Sequence, residues 1–251
     1  MRRHSELRMF LGAYVLYNAG RWLTAGDMGT AVDNAHWIVR TEQHLGVAVE
    51  HSVQNGLQTG VTMWLLSHIY LAAQFVVLPG ALVYLYRRAP GVYRRLRDTV
   101  LATWLISIPV YAAFPVAPPR LAGLGFTDAV SAHAAVSLTG RSSVFYNQLA
   151  AVPSLHCGFA VAVGLALAAA ARTRPGKLAA LLWGPLVCLT VVATGNHYVF
   201  DIAAGLVAAL VGYGAGVAVR RAREDLARAP RRRRQLVAPA FASGVVSERG
   251  L

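Results

Sequence analysis

The chain has 251 residues, of which 56% are hydrophobic and only 14% are charged. This composition excludes an ordinary soluble domain and predicts a polytopic membrane protein. The formal net charge of +13 would fit a nucleic-acid-binding protein, but the basic residues form clusters between apolar runs, so we expect no nucleic-acid partner.

Six apolar runs are close to the roughly 20 residues that a helix needs to cross a bilayer. They cover residues 9–24, 61–86, 99–116, 155–171, 178–194 and 197–219. The second run is long enough to tilt, or to bend at Pro79 and Gly80. We therefore predict an all-α fold, a bundle of six transmembrane helices that forms one membrane domain over residues 1–251.

The basic residues alternate between the two ends of these runs. They concentrate before the first run, in the connections after the second and fourth runs, and after the last run. The other three connections carry only Arg40, Arg120 and Arg141. By the positive-inside rule, both termini are cytoplasmic and those three connections are external to the cell membrane.

The predicted domain divides along the chain into a membrane part and its connections. Its parts are the cytoplasmic N-terminus with the first helix (1–25), an external amphipathic segment (26–60), helices two and three (61–117), an external loop (118–152), helices four to six (153–219) and a basic cytoplasmic tail (220–251). The tail, with four consecutive arginines, is expected to be disordered and attracted to anionic lipid.

The segment between the first two runs is too polar to cross the membrane. Apolar residues recur in it at helical spacing, which predicts one or two amphipathic helices on the outer surface, with Trp37 as an interface anchor. The polar residues of these helices include Glu42, His44, Glu50 and His51. The pattern favours a solvated face for them, and the alternative is that some line a pocket on this side of the membrane.

Two short polar stretches, PSLH at 153–156 and NHYVFD at 196–201, each open an apolar run. His197 and Asp201 are four residues apart, so on a helix they share one face, and the carboxylate can hold the imidazole in one tautomer. Ser154 is predicted to cap a helix start, which leaves free N–H groups as an anion site. An oriented histidine, a second histidine at 156 and an anion site indicate phosphoryl transfer.

Three blocks of the sequence resemble a known family. They are 114–120 (FPVAPPR), 147–156 (NQLAAVPSLH) and 196–201. In order and spacing they resemble the type 2 phosphatidic acid phosphatase superfamily of membrane lipid phosphatases. The resemblance is closer to the branch related to inositol phosphorylceramide synthases, which move a phosphoinositol head group between lipids. It covers roughly residues 110–205.

The resemblance implies a role for each matched residue. His197 would attack phosphorus, Asp201 would orient it, and His156 would protonate the leaving oxygen. The candidate phosphate-binding residues are Arg120, Ser154, Asn147, Asn196 and Arg141. The substrate implied is a phospholipid, a sphingolipid-like lipid or a polyprenyl phosphate, and the acceptor is either water or an alcohol.

Two positions depart from the superfamily pattern. Ala113 stands where the pattern has a lysine, and Val191 stands where it has an arginine. The departures favour the transferase-like branch and leave the phosphate site short of donors. Arg141 is proposed as a donor only because of the gap at Val191.

Two alternatives to this chemistry stay open. Two histidines and Asp201 are also a ligand set for zinc or iron. Arg120 would repel such a cation, and the spacing of His197 and Asp201 suits direct pairing, so a site without metal or other cofactor is favoured. The second alternative is a carrier that binds phosphorylated lipids without turning them over, from which a turnover assay would distinguish an enzyme.

Overall fold

The computed structural model describes residues 6, 8–12, 15–16, 27–134 and 148–228. All regular elements in these ranges are helical, so the all-α prediction is confirmed for this part of the chain. The helices are α1 (Met28–Leu45), α2 (Glu50–Gly56), α3 (Gly60–Ala72), α4 (Leu78–Arg88), α5 (Pro90–Ala113), α6 (Ala129–His133), α7 (Leu155–Ala170), α8 (Arg174–Ala193) and α9 (Val199–Arg228). The described residues as far as Gly216 form one compact unit, and those from Val217 onward form another.

The chain is a membrane protein by the length and hydropathy of its helices. The stretches long and apolar enough to cross a membrane are Gly60–Arg88, Arg174–Ala193 and Val199–Leu226. They agree with the second, fifth and sixth predicted runs. Helix α7 is apolar but shorter than these stretches, and α5 carries charged residues in its first turns. The first predicted run (9–24) falls largely outside the described residues. The count of six transmembrane helices therefore stays a prediction.

The second predicted run is interrupted by a π-helical turn, Ala73–Val77, which joins α3 to α4. The N–H of Leu78 donates to the carbonyl of Ala73, five residues back. Pro79 follows and has no N–H to donate, so the irregular hydrogen bonding precedes it. The irregularity predicted at Pro79 and Gly80 thus lies one turn earlier, where it shapes the wall of the cavity described below.

Small residues let the last three helices approach closely. A Cβ atom added to Gly164 in α7 would lie 2.6 Å from the carbonyl oxygen of Ala180 in α8. A Cβ atom on Gly205 in α9 would collide with the backbone of Ser154, at the start of α7. The N–H of Ser154 also donates to the carbonyl of Asp201 at 3.0 Å. The starts of α7 and α9 are therefore fixed side by side.

The segment before α3, predicted to be external, forms two helices, as predicted, and it packs on the protein. Ala31, Ala35 and Ile38, on one face of α1, are fully buried against a cluster that includes Val116 and Tyr198. The apolar stripe therefore faces the protein core, and the position of the segment on the outer membrane surface stays a prediction. The interpretation of Glu42 and Glu50 as a solvated face is wrong, because both are buried.

One glutamine connects α2 to the end of α8. The Gln54 side chain donates from Nε2 to the carbonyls of Thr127 and Ala193, both at 3.1 Å, and its Oε1 accepts from the Thr127 N–H at 2.9 Å. Gly123 and Gly125 adopt left-handed φ values of 70° and 79° in the same loop, which allows its sharp turns. Helix α2 and the loop that contains Thr127 thus pack together at the end of α8.

Candidate active site

The turn between α8 and α9 brings His197 into position. The carbonyl of Val191 accepts the N–H groups of both Asn196 (3.0 Å) and His197 (3.2 Å). Gly195 reverses the chain with a φ of 71°, and a Cβ there would lie only 2.8 Å from the carbonyl of Thr127. This helix end therefore requires glycine and holds His197 immediately ahead of α9.

His197 and Asp201 form a direct pair. The Nδ1 atom of His197 lies 3.1 Å from Oδ2 of Asp201, and the same oxygen accepts the N–H of Tyr198 at 3.0 Å. Because α9 begins at Val199, His197 precedes the helix, and the carboxylate of the first turn reaches back to it. The predicted pairing is present, although the two residues do not share a helical face. Nδ1 is bound to the fully buried carboxylate of Asp201, and the backbone of Ala151 also faces the imidazole, which leaves Nε2 as the candidate nucleophilic atom.

His156 opens α7 and faces His197. The centroids of the two imidazole rings are 6.1 Å apart, with an interplanar angle of 53°. Tyr70 of α3 stacks on His156 at 4.2 Å and 18°, which fixes the ring orientation. Ser154 caps α7 as predicted, since its Oγ accepts the N–H of Cys157 at 3.4 Å. Ser154 is fully buried and does not line the cavity, so its proposed contact with phosphate stays a prediction.

Arg120 is the buried cation of the site. Its backbone N–H donates to the carbonyl of Gly195, and its Nε donates to Oδ1 of Asn196 at 2.9 Å. The amide nitrogen of Asn196 is used by Thr194, so Asn196 orients the guanidinium. Asp128 lies 4.0 Å from the Nε atom. The Nη1 atom of Arg120 is buried and has no hydrogen-bond partner among the described residues, which marks it as a donor available to an anion.

These groups line one end of a cavity of about 400 Å³. Arg120, Asn196, His156 and His197 supply its polar end. The remaining wall is mainly apolar and includes Phe75, Leu78, Leu82, Val100, Trp104 and Phe159. A ligand that fits such a cavity carries an anionic head and a hydrocarbon body.

The two positions that depart from the superfamily pattern, Ala113 and Val191, supply no cation to the cavity. Val191 is fully buried in α8, and Ala113 is exposed at the end of α5. Among the described residues, Arg120 is the one lysine or arginine that lines the cavity. Arg141 and Asn147, which were predicted as further donors, lie outside the described residues.

Several residues of the site were missed by sequence reasoning. Tyr70 is one of them, and Gln74 and Gln148 are two further polar residues that line the cavity. Gln74 lies in the π-helical turn, and such turns are frequent at functional sites, but nothing in the sequence announced it. Glu42 and Glu50 also reach the start of α9, and their pattern in the sequence resembled a solvated face.

The site thus combines a buried histidine–aspartate pair, a second histidine that faces it and a buried arginine, at the ends of the apolar helices of a membrane protein. The family model of the PAP2 superfamily matches residues 36–215. Because this match covers most of the chain, the protein belongs to the PAP2 superfamily, whose members are generally phosphatases or phosphotransferases. No curated protein and no solved structure matches the chain significantly.

Proposed function

We propose that this chain is a lipid phosphatase or phosphotransferase that works through a phosphohistidine on His197, without a metal ion. The observation that carries the proposal is the 3.1 Å pair of His197 and Asp201 in a cavity that also holds His156 and the unpaired Nη1 of Arg120. The pair leaves Nε2 of His197 with its lone pair when Nδ1 carries the proton.

The proposed reaction has two displacements. In the first, the lone pair on Nε2 of His197 forms a bond to phosphorus while the bond from phosphorus to the leaving oxygen breaks, and His156 gives that oxygen a proton. In the second, His156 takes a proton from water or an alcohol, whose oxygen attacks phosphorus and breaks the phosphorus–nitrogen bond. Arg120 stabilises the negative charge on the non-bridging oxygens in both steps.

The cavity supports an amphiphilic phosphate as substrate. Its apolar wall matches hydrocarbon, and its polar end matches a phosphate, as in a phospholipid, a sphingolipid-like lipid or a polyprenyl phosphate. Transfer of an inositol phosphate head group to an alcohol is the variant that the resemblance to inositol phosphorylceramide synthases favours. Among the described residues, Arg120 is the one lysine or arginine that lines the cavity, and a single cation would then suit a phosphodiester, which carries one negative charge fewer than a phosphomonoester.

We propose an external active site with both termini in the cytoplasm. Helix α8 begins at the basic end, with Arg174 and Lys177, and ends at Ala193 beside the site. Since basic residues favour the cytoplasmic side, the direction of α8 supports a site on the external face.

The proposal is tested with His197→Ala and His156→Ala, assayed on a lipid phosphate and on an aryl phosphate. His197→Ala should abolish turnover of both substrates and any acid-labile phosphoenzyme. His156→Ala should keep much more activity on the aryl phosphate, because a phenolate leaves without a proton. Equal losses on both substrates would contradict the acid role of His156.

The same substrates also separate an enzyme from a carrier of phosphorylated lipids. Equal binding of the lipid phosphate with no turnover in either wild type or His197→Ala would favour a carrier. Mass spectrometry of the products, with and without added inositol, distinguishes water from an alcohol as the acceptor. A new phosphodiester that appears only with inositol would identify a transferase.

A further inference from the structure

Glu42 and Glu50 are buried acids to which the proposed reaction gives no role. Glu42 belongs to the last turn of α1, and Glu50 opens α2, and they are 1% and 4% exposed. A buried carboxylate is unfavourable unless hydrogen bonds or a proton compensate its charge. Two of them side by side therefore need a structural reason.

Both carboxyl groups accept hydrogen bonds from the start of α9. Oε1 of Glu50 accepts the N–H of Val199 at 2.9 Å, and Oε1 of Glu42 accepts the N–H of Phe200 at 2.6 Å. These N–H groups have no partner within their own helix, because the first turn of a helix leaves its donors free. The external segment thus caps a helix that lies some 150 residues further along the chain.

The capped residues at the start of α9 directly follow His197, the candidate nucleophile. The preceding N–H, from Tyr198, is accepted by Asp201, so three consecutive donors are each taken by a carboxyl group. His197 immediately precedes these three residues and is itself bound to Asp201. A shift at the start of α9 would therefore move the imidazole.

The two glutamates are close enough to influence each other. Burial, with the neighbouring Glu50 adding to it, outweighs the hydrogen bond from Phe200 and raises the pKa of Glu42 to about 8 from an ordinary 4.5. Oε2 of Glu42 is buried and, within the described part of the chain, accepts no hydrogen bond, which suits an oxygen that carries a proton directed at Glu50. The other titratable groups that face Glu42 are Asp201 and Tyr198 of α9.

We propose that Glu42 and Glu50 are positioning residues, which share one proton and fix the start of α9, and with it the pair of His197 and Asp201. Loss of that proton in alkaline solution puts a further negative charge beside Asp201. The repulsion loosens the start of α9 and opposes the anionic substrate, so KM rises.

The kinetic test uses an aryl phosphate, which does not depend on the proton from His156. Glu42→Ala removes the acceptor of the Phe200 N–H, and we expect kcat to fall by about tenfold or more. Glu42→Gln restores most of that loss, because the amide accepts from Phe200 and donates to Glu50. It should also remove the rise in KM that we expect of the wild type above pH about 8. Asp33→Asn makes the corresponding change from carboxylate to amide at an exposed position of α1, and its kcat and KM should match those of the wild type at every pH.

The stability test does not need turnover. Because the folded protein holds a proton on Glu42 that the unfolded chain releases, its contribution is complete below pH about 4.5 and is lost by pH about 8. The Tm of the wild type should fall across this window more steeply than that of Glu42→Gln, while Asp33→Asn keeps the wild-type slope.

The kinetic readout rests on the proposed function, and the stability readout does not. If the wild type turns over no phosphate substrate, the proposed function fails, and the slope of Tm with pH still decides whether the glutamates share a proton. The inference is overturned if Glu42→Gln keeps the wild-type slope of Tm. It is also overturned if Glu42→Ala keeps the wild-type kcat, or if Glu42→Gln keeps the alkaline rise in KM.

Discussion

Replacing Gly205 by alanine tests whether the close crossing of α7 and α9 sets the geometry of the two histidines. The added Cβ would lie 3.0 Å from the carbonyl carbon of Ser154 and 3.1 Å from its nitrogen, and it would collide with the carbonyl oxygen. Since carbon atoms pack at about 3.5–4.0 Å, the two helices must separate by roughly 0.5–1 Å at this crossing. The obstacle is backbone, so no side chain can rotate away.

The separation should be visible in both stability and rate. Overpacking of this kind costs about 1–3 kcal/mol of the free energy of unfolding. The crossing joins Ser154, close before His156, to Gly205, one helical turn after Asp201, and a displacement near 1 Å of a reacting group costs about 100-fold in rate. We therefore expect turnover of a lipid phosphate to fall by about 10–100-fold.

The assay compares Gly205→Ala with Gly214→Ala, in detergent, by thermal unfolding and by release of phosphate or head group. Gly214 lies in the same helix, and a Cβ there would meet nothing within 4 Å. Gly214→Ala should keep wild-type turnover and lose no stability, because alanine favours a helix over glycine by about 1 kcal/mol. Equal turnover and equal stability of the two variants would refute the claim that this crossing positions the site.

Three further predictions follow from the site and the topology. Turnover should survive EDTA, because Arg120 supplies the positive charge; loss on chelation and recovery with zinc would assign His156, His197 and Asp201 to a metal. Asp201→Asn should lower kcat by about 100-fold or more, since an amide no longer enforces the histidine tautomer; wild-type kcat would exclude a role for the pair. A cysteine introduced at exposed position 52 should react with an impermeant thiol reagent in intact cells, and a cysteine introduced at exposed position 94 should not react. The reverse labelling pattern would put the site in the cytoplasm.

The sequence alone determined most of the helical segments and the pairing of His197 with Asp201. Apolar runs and capping residues are local properties, so the bounds of α7, α8 and most of α9 were predicted within a few residues, and Ser154 was correctly identified as a cap. The pairing of His197 with Asp201 also depends on close spacing along the chain. Local rules were sufficient for these features because the interacting residues are neighbours in sequence.

Only the tertiary structure decided which polar residues are buried. Glu42 and Glu50 have the sequence pattern of a solvated face, and their burial depends on where α1 and α2 meet the start of α9. The stacking of Tyr70 on His156 likewise joins two helices far apart in sequence. Helical periodicity shows which residues share a face, but not whether that face meets water, lipid or another part of the protein. That outcome depends on long-range packing, which no local pattern encodes.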